Sequence, residues 1–101
     1  MTFLLMQLNK DQIRDLEVAI ADKIYIKVAN WNLYLGDAGL AQELAIECIA
    51  YLPEGSSKAA KKACDSLKVK LGGGNTLIAL SQLISSSQLF ELEEILDPYC
   101  R

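Results

Sequence analysis

Residues 24–52, IYIKVANWNLYLGDAGLAQELAIECIAYL, form the densest apolar run of the chain. They contain its only tryptophan and three of its four tyrosines. Aromatic and large aliphatic side chains gain the most free energy when they leave water, so this stretch is expected to form the centre of the hydrophobic core. The segments before and after it are expected to pack around that centre.

The length and composition of the chain predict one folded domain spanning residues 1–101. A chain of 101 residues, 51% of them hydrophobic, can bury about 60–70% of its unfolded-chain surface without disulfides or metals. No run is long and apolar enough to span a bilayer. Residues 1–8 lack the basic flank and cleavage site of a signal peptide. They are expected to be a flexible N-terminal segment that folds back on the core, with a membrane-touching tail as the alternative.

The three cysteines predict reduced thiols and therefore a cytoplasmic protein. Cys48, Cys64 and Cys100 are odd in number and include no C-x-x-C pair, a usage typical of a reducing compartment. Cys48 lies within an apolar helical pattern, so we expect it to be a small core residue.

The first predicted helix begins after Asn9 and continues to Leu35. Asn9 is a favourable N-cap, and Gln12 three residues later completes a capping box. Apolar residues then recur every three or four positions, as one helical face requires. They are Ile13, Leu16, Ile20, Ile24, Val28, Trp31 and Leu35. A strand over residues 24–28, whose β-branched side chains alternate, is the alternative. The unbroken helical spacing on both sides favours the helix.

A second helix is expected over residues 38–52, after a break at Gly36. Glycine can end a helix in the left-handed conformation, and Asp37 can cap the next helix. Pro53 stops it. The break gives an antiparallel helical hairpin. One unbroken helix of more than 40 residues is the alternative, and it would be unusual in a domain of this size.

The second half of the chain predicts a short helix, a β-hairpin and a C-terminal helix. The short helix is capped by Ser56 or Ser57 and has a narrow inner face. That face consists of Ala59, Ala60, Ala63 and Cys64. Alternating residues and a glycine-rich turn predict a hairpin over residues 67–80. The serine run at 85–87 caps the last helix. The predicted fold class is α+β, mostly α: a long helical hairpin, a short helix, a two-stranded β-hairpin and a C-terminal helix, without a visible internal repeat.

The sequence contains no recognisable catalytic or metal-binding constellation. The absence of histidine removes Ser-His and Cys-His nucleophile pairs and the commonest transition-metal ligand. Three scattered cysteines cannot complete a four-ligand zinc site. The turn Gly72-Gly73-Gly74 leads into a strand, whereas a phosphate-binding loop leads into a helix. These observations predict a non-enzymatic protein without a cofactor or metal.

Two surfaces are candidates for binding a partner. The first, the lysine patch, consists of Lys58, Lys61, Lys62, Lys68 and Lys70, with Gly73 of the adjoining turn. Clustered lysines attract phosphates, anionic membranes or acidic proteins. A solvated face that balances the acidic helices is the alternative interpretation, because the rest of the chain is acidic.

The second candidate, the apolar patch, consists of Tyr25, Ile26, Leu33 and Tyr34. In the helical interpretation these residues lie outside the main apolar face and leave surplus apolar surface. Such a surface suits a protein partner or a second copy of the chain. The tyrosine hydroxyls need a hydrogen-bond partner or exposure to water.

Three segments carry a family resemblance: Ile24-Tyr25-Ile26 through Asp37-Ala38, then Lys70-Leu71-Gly72-Gly73-Gly74, and then Leu92, Ile95-Leu96, Tyr99 and Arg101. In order and spacing they resemble a small family of uncharacterised proteins from cyanobacteria and related photosynthetic lineages. The resemblance implies a cytosolic or thylakoid-facing setting with no established activity, and it adds no catalytic or binding residue. The family pattern has histidine near two positions where this chain has Asn32 and Ala41, so any role of those histidines is absent or dispensable here.

The sequence therefore predicts a small interaction or accessory protein. The preferred partner is another protein, or a second copy of the chain, bound through the apolar patch. The alternative is a module that binds an anionic ligand, either a membrane surface or nucleic acid, through the lysine patch and the Gly72-Gly73-Gly74 turn. Nucleic acid is disfavoured because the remainder of the chain is acidic and no aromatic residue lies among the lysines.

Overall fold

The computed structural model describes residues 8–28, 30–70 and 76–100. The predicted N-terminal segment, apart from Leu8, therefore lies outside the described residues. The same is true of the turn that contains Gly73.

Within these ranges the protein is mostly helical with two antiparallel strand pairs, which confirms the predicted α+β class. The helices are α1 (Lys10–Lys23), α2 (Leu35–Ala38), α3 (Ala41–Tyr51), α4 (Ser56–Ser66) and α5 (Ser86–Leu96). The strands are β1 (Tyr25–Val28), β2 (Trp31–Tyr34), β3 (Lys68–Lys70) and β4 (Leu77–Ala79). Single turns of 3-10 helix cover Leu52–Glu54, Leu80–Gln82 and Asp97–Cys100.

The predicted start of the first helix is confirmed. The Asn9 N–H donates to Gln12 Oε1 at 2.9 Å, and the Gln12 N–H donates to Asn9 Oδ1 at 2.8 Å. This reciprocal capping box satisfies two backbone donors that have no partner within the helix.

The predicted continuation of that helix to Leu35 is wrong. Helix α1 ends at Lys23, and β1 and β2 form a hairpin in which Tyr25 pairs with Tyr34 and Val28 pairs with Trp31. A strand turns alternate side chains to the same face, so Ile24 and Ile26 can both be buried. In a helix, Ile26 would lie about 200° around the axis from Ile24 and would face water.

The predicted helical hairpin with a break at Gly36 needs the same correction. The β-hairpin and the short helix α2 separate α1 from α3, and Gly36 lies inside α2. The left-handed residue is Gly39, with φ of 74°, which ends α2. Gly36 instead permits close packing, because a Cβ there would lie 2.9 Å from the Cβ of Ala21.

The second half of the chain follows the prediction more closely. The four predicted inner residues of α4 are all fully buried. The hairpin forms with Val69 opposite Ile78, and Ser85 caps α5 by accepting a hydrogen bond from the Gln88 N–H at 3.2 Å. The predicted serine cap of α4 is wrong: its N-cap is Gly55, and the Ser56 hydroxyl donates to Asp97 Oδ1.

The four longer helices surround one core. Helices α1 and α4 each pack against both α3 and α5. The largest fully buried side chains come from all four helices, from the residues that flank the hairpins and from the 3-10 turn after α3. They are Leu16, Ile20, Ile24, Leu35, Leu44, Leu52, Leu80, Leu92, Leu96, Cys48 and Cys64.

The structure reveals a repeated unit that is not visible in the sequence. In each half, a helix leads into a β-hairpin, a short helical turn and a second helix. At the base of each hairpin, the two buried residues that flank the strands are joined by a backbone hydrogen bond. The Leu35 N–H donates to Ile24 O at 2.9 Å, and the Leu80 N–H donates to Leu67 O at 2.8 Å. Each hairpin therefore leaves the helical body through a hydrogen-bonded pair of buried residues.

Candidate functional site

The two hairpins lie next to one another and enclose a groove of about 320 Å³, here called the hairpin groove. Its lining comes from the first hairpin, α2 and the residues after it, and β3. The lining residues are Ile26, Leu33, Ala38, Leu40, Lys68, Val69 and Lys70. The groove thus combines an apolar lining with two lysine side chains.

The predicted apolar patch does not form one surface. Ile26 is only 2% exposed, belongs to the core and forms part of the inner wall of the hairpin groove. Leu33 is half-buried and lines the groove. Tyr25 and Tyr34 are cross-strand partners on the opposite face of the hairpin, with ring centroids 5.2 Å apart. The strand's alternation separates residues that the helical interpretation grouped together.

Trp31 is the surface residue that the sequence interpretation missed. Its predicted place was the inner face of a helix, but it is 66% exposed at the distal end of the first hairpin. Alternation puts it on the same face of the hairpin as Leu33, so it extends the apolar side of the groove outward. The alternating β-branched residues of 24–28 were the available signal, because a strand there places Trp31 in the returning strand.

The structure divides the predicted lysine patch into separate groups. Lys62 forms an ion pair with Glu54 and lies 5.8 Å from the centroid of the Tyr51 ring. The hydrogen bond with the Glu54 carboxylate raises the pKa of Lys62. Lys61 lines a different cavity, of about 280 Å³, beside the start of α5. Lys58 is exposed on α4.

Lys68 and Lys70 lie on β3 of the second hairpin. Both are exposed, both line the groove, and the Lys68 Nζ donates to the carbonyl of Asp65 at 3.3 Å. Lys70 pairs across the strands with Leu77, which is 59% exposed. Trp31, Leu33, Lys68, Lys70 and Leu77 are here called the hairpin surface.

The charge of the hairpins differs in sign from that of the whole protein. Residues 24–35 and 67–80 contain three lysines and no acidic residue. The remaining residues contain seven basic and thirteen acidic groups, a formal charge of −6. The hairpins are thus a locally basic part of an acidic protein.

The cysteines are suited to a structural role. Cys48 and Cys64 are both fully buried, as predicted for Cys48. Burial raises the pKa of the Cys48 thiol, and it raises the pKa of the Cys64 thiol to about 12. The thiolate is the nucleophile and the metal ligand, so both side chains are held in their unreactive form at neutral pH.

The described ranges contain neither a cluster of metal ligands nor a helix that could span a membrane. No group of three or more acidic or cysteine side chains lies close enough together there to hold a metal ion. None of the helices in those ranges combines the length and the apolar character needed to cross a membrane.

The protein therefore belongs to the class of small, mostly helical α+β proteins. Two adjacent hairpins project from its helical body, and one of them carries an exposed tryptophan. The chain belongs to a family of proteins of unknown function (DUF3181), which matches residues 13–99. It is 33% identical over 90 residues to the thylakoid-associated protein slr0729 of Synechocystis sp. (strain ATCC 27184 / PCC 6803 / Kazusa), covering 87% of this chain and 89% of that protein. No solved structure matches the chain. These relationships confirm the predicted resemblance to a small uncharacterised cyanobacterial family.

Proposed function

We propose that the protein is a small non-enzymatic accessory protein that associates with thylakoid membranes through its hairpin surface. The observation that carries the proposal is the exposure of Trp31 and Leu77 on adjacent hairpins whose only charged residues are lysines. Tryptophan and lysine are typical of surfaces at a membrane–water boundary. The thylakoid association stated for the Synechocystis relative supports the same location.

The helical body also exposes apolar residues. Its exposed large apolar residues within the described ranges, Val18, Ile46 and Phe90, belong to three different helices. Single exposed apolar residues are common on soluble proteins. The hairpins differ because apolar side chains and the lysines Lys68 and Lys70 line one groove between them.

The test is co-sedimentation of the purified chain with isolated Synechocystis thylakoid membranes. The test variant combines Trp31→Ser with Leu77→Ser. The control variant combines Ile46→Ser with Phe90→Ser, which removes two apolar side chains of similar exposure (54% and 59%) from the helical body. We expect the wild type and the control to sediment with the membranes and the hairpin variant to remain in solution.

Two results would overturn the proposal. One is a wild-type chain that stays in solution at every membrane concentration. The other is an equal loss of sedimentation in both double variants, which would show that exposed apolar area in general, and not the hairpin surface, causes the association. Circular dichroism of each variant checks that the fold is retained.

A further inference from the structure

The geometry points to direct contact between the hairpin surface and the lipid bilayer, with Trp31 and Leu77 entering the boundary between headgroups and acyl chains, and Lys68 and Lys70 binding anionic headgroups. This inference rests on the proposed function and names its partner. The alternative partner, a protein embedded in the membrane, is an outcome of the test below.

The position of the two apolar side chains favours a bilayer. Trp31 and Leu77 belong to the last described pairs of their ladders, Val28 with Trp31 and Lys70 with Leu77. Within the described residues they lie at the ends of these ladders that are away from the helical body, where they are 66% and 59% exposed. A protein partner would need a pocket for each of these side chains, whereas a bilayer accepts projecting apolar groups without complementary shape.

The side-chain types fit the depth that each would reach. Tryptophan has an apolar ring system and one N–H donor, and it prefers the level of the headgroups. Lysine has a long apolar stem that can lie along apolar surface while its ammonium group stays in water. Lys70 is the cross-strand partner of Leu77, so its ammonium group can remain at the headgroup level when Leu77 is inserted.

The charge distribution orients the protein. An anionic surface attracts the hairpins, with their three lysines, and repels the rest of the chain, with its formal charge of −6. A lysine close to an anionic membrane increases binding by about fivefold. The acidic residues nearest to the hairpins in sequence, Asp22, Asp37 and Asp65, lie on the helices.

The first experiment uses protein-free vesicles and the tryptophan itself. Because Trp31 is the only tryptophan, its fluorescence reports on the first hairpin alone. We expect the emission to shift to shorter wavelength with vesicles of equal parts phosphatidylglycerol and phosphatidylcholine, and brominated lipid to quench it. Pure phosphatidylcholine vesicles should give a much weaker response, and high salt should weaken binding to the anionic vesicles.

The second experiment separates the hairpin lysines from total charge. Lys68→Gln with Lys70→Gln should weaken binding to the anionic vesicles by about 25-fold. Lys58→Gln with Lys61→Gln changes the net charge by the same amount on α4, away from the hairpin groove. This control variant should bind within about twofold of the wild type, because exposed charges farther than about 10 Å from the surface are screened.

The outcomes distinguish this inference from the proposed function. If the wild type binds thylakoid membranes but not the anionic vesicles, the proposed function stands and the partner is a membrane protein. Binding to vesicles without a change in Trp31 emission would also overturn the inference, because contact would then occur elsewhere. Equal losses in the two lysine variants would show that net charge alone drives the association.

Discussion

At the scale of single residues, Gln88 connects the last helix to the first hairpin. Among the described residues it is the one polar residue that is buried, at 8% exposure. Its Oε1 accepts a hydrogen bond from the Tyr25 N–H at 2.8 Å. Tyr25 lies 63 residues away in sequence, at the start of β1. An amide on α5 thus satisfies a backbone donor at the point where the chain changes from helix to strand.

We expect Gln88→Leu to lower the free energy of unfolding by about 1–3 kcal/mol, because it leaves the Tyr25 N–H without an acceptor. Urea unfolding measures the change. Gln82→Leu, at an exposed glutamine, is the matched control and should change stability by less than about 0.5 kcal/mol. Equal stability of Gln88→Leu and wild type would show that this hydrogen bond makes no net contribution.

The buried thiols predict a loss of stability in alkaline solution. The pKa of Cys64 rises from an ordinary value of 9.0 to about 12, and the pKa of Cys48 is also raised. Above pH 9 the unfolded chain releases these protons while the folded chain retains them. Each thiol therefore lowers the free energy of unfolding by about 1.4 kcal/mol per pH unit, from about pH 9 upward until its folded-state pKa is reached.

Urea unfolding of the wild type and of Cys48→Ala with Cys64→Ala, at pH 8 and pH 10, tests this expectation. Comparing the two proteins cancels the titration of lysines and tyrosines that both contain. The wild type should lose more stability between the two pH values than the variant does. Equal losses would mean that the thiols ionise as readily in the folded protein as in the unfolded chain.

At the scale of elements, the first hairpin shows how one apolar pattern fits two structures. Residues 24, 28, 31 and 35 have helical spacing, and residues 24, 26 and 28 have strand spacing. Only the strand buries Ile26, which is 2% exposed against the helical body. Whether the segment forms a helix or a strand depends on which distant parts of the fold pack against it, and the local spacing of apolar residues does not contain that information.

Ile26→Ala tests the hairpin directly. In the hairpin the substitution removes a buried side chain and should cost about 2–5 kcal/mol, whereas in a continuing helix the side chain would face water and the cost would be small. The exposed neighbour Lys27→Ala should change stability by less than about 0.5 kcal/mol. Similar small effects for both substitutions, measured by urea unfolding, would argue against the strand.

At the scale of the whole molecule, the repeated unit brings the two hairpins together. Helices α1 and α4 each lead into a hairpin, and both pack against α3 and α5. This arrangement joins Leu33 of the first half with Lys68 and Lys70 of the second around one groove, and Trp31 lies on the same face of the first hairpin as Leu33. The proposed membrane contact therefore belongs to the assembled fold, since neither hairpin alone carries both the tryptophan and the paired lysines.

The sequence by itself determined the elements that depend on neighbouring residues. The capping box at Asn9, the small-residue face of α4, the second hairpin and the Ser85 cap all follow from chemistry within a few positions. Family membership was also readable, because the order and spacing of three segments carry it.

Only the tertiary structure decided the hairpin over residues 25–34, the exposure of Trp31 and the division of the lysines. Each depends on surfaces that are distant in sequence: the core that buries Ile26, the α5 amide that accepts from Tyr25, and the groove between the halves. Where helical and strand spacing coincide, local preferences nearly balance. The free energy gained by burial against the rest of the fold then selects the structure.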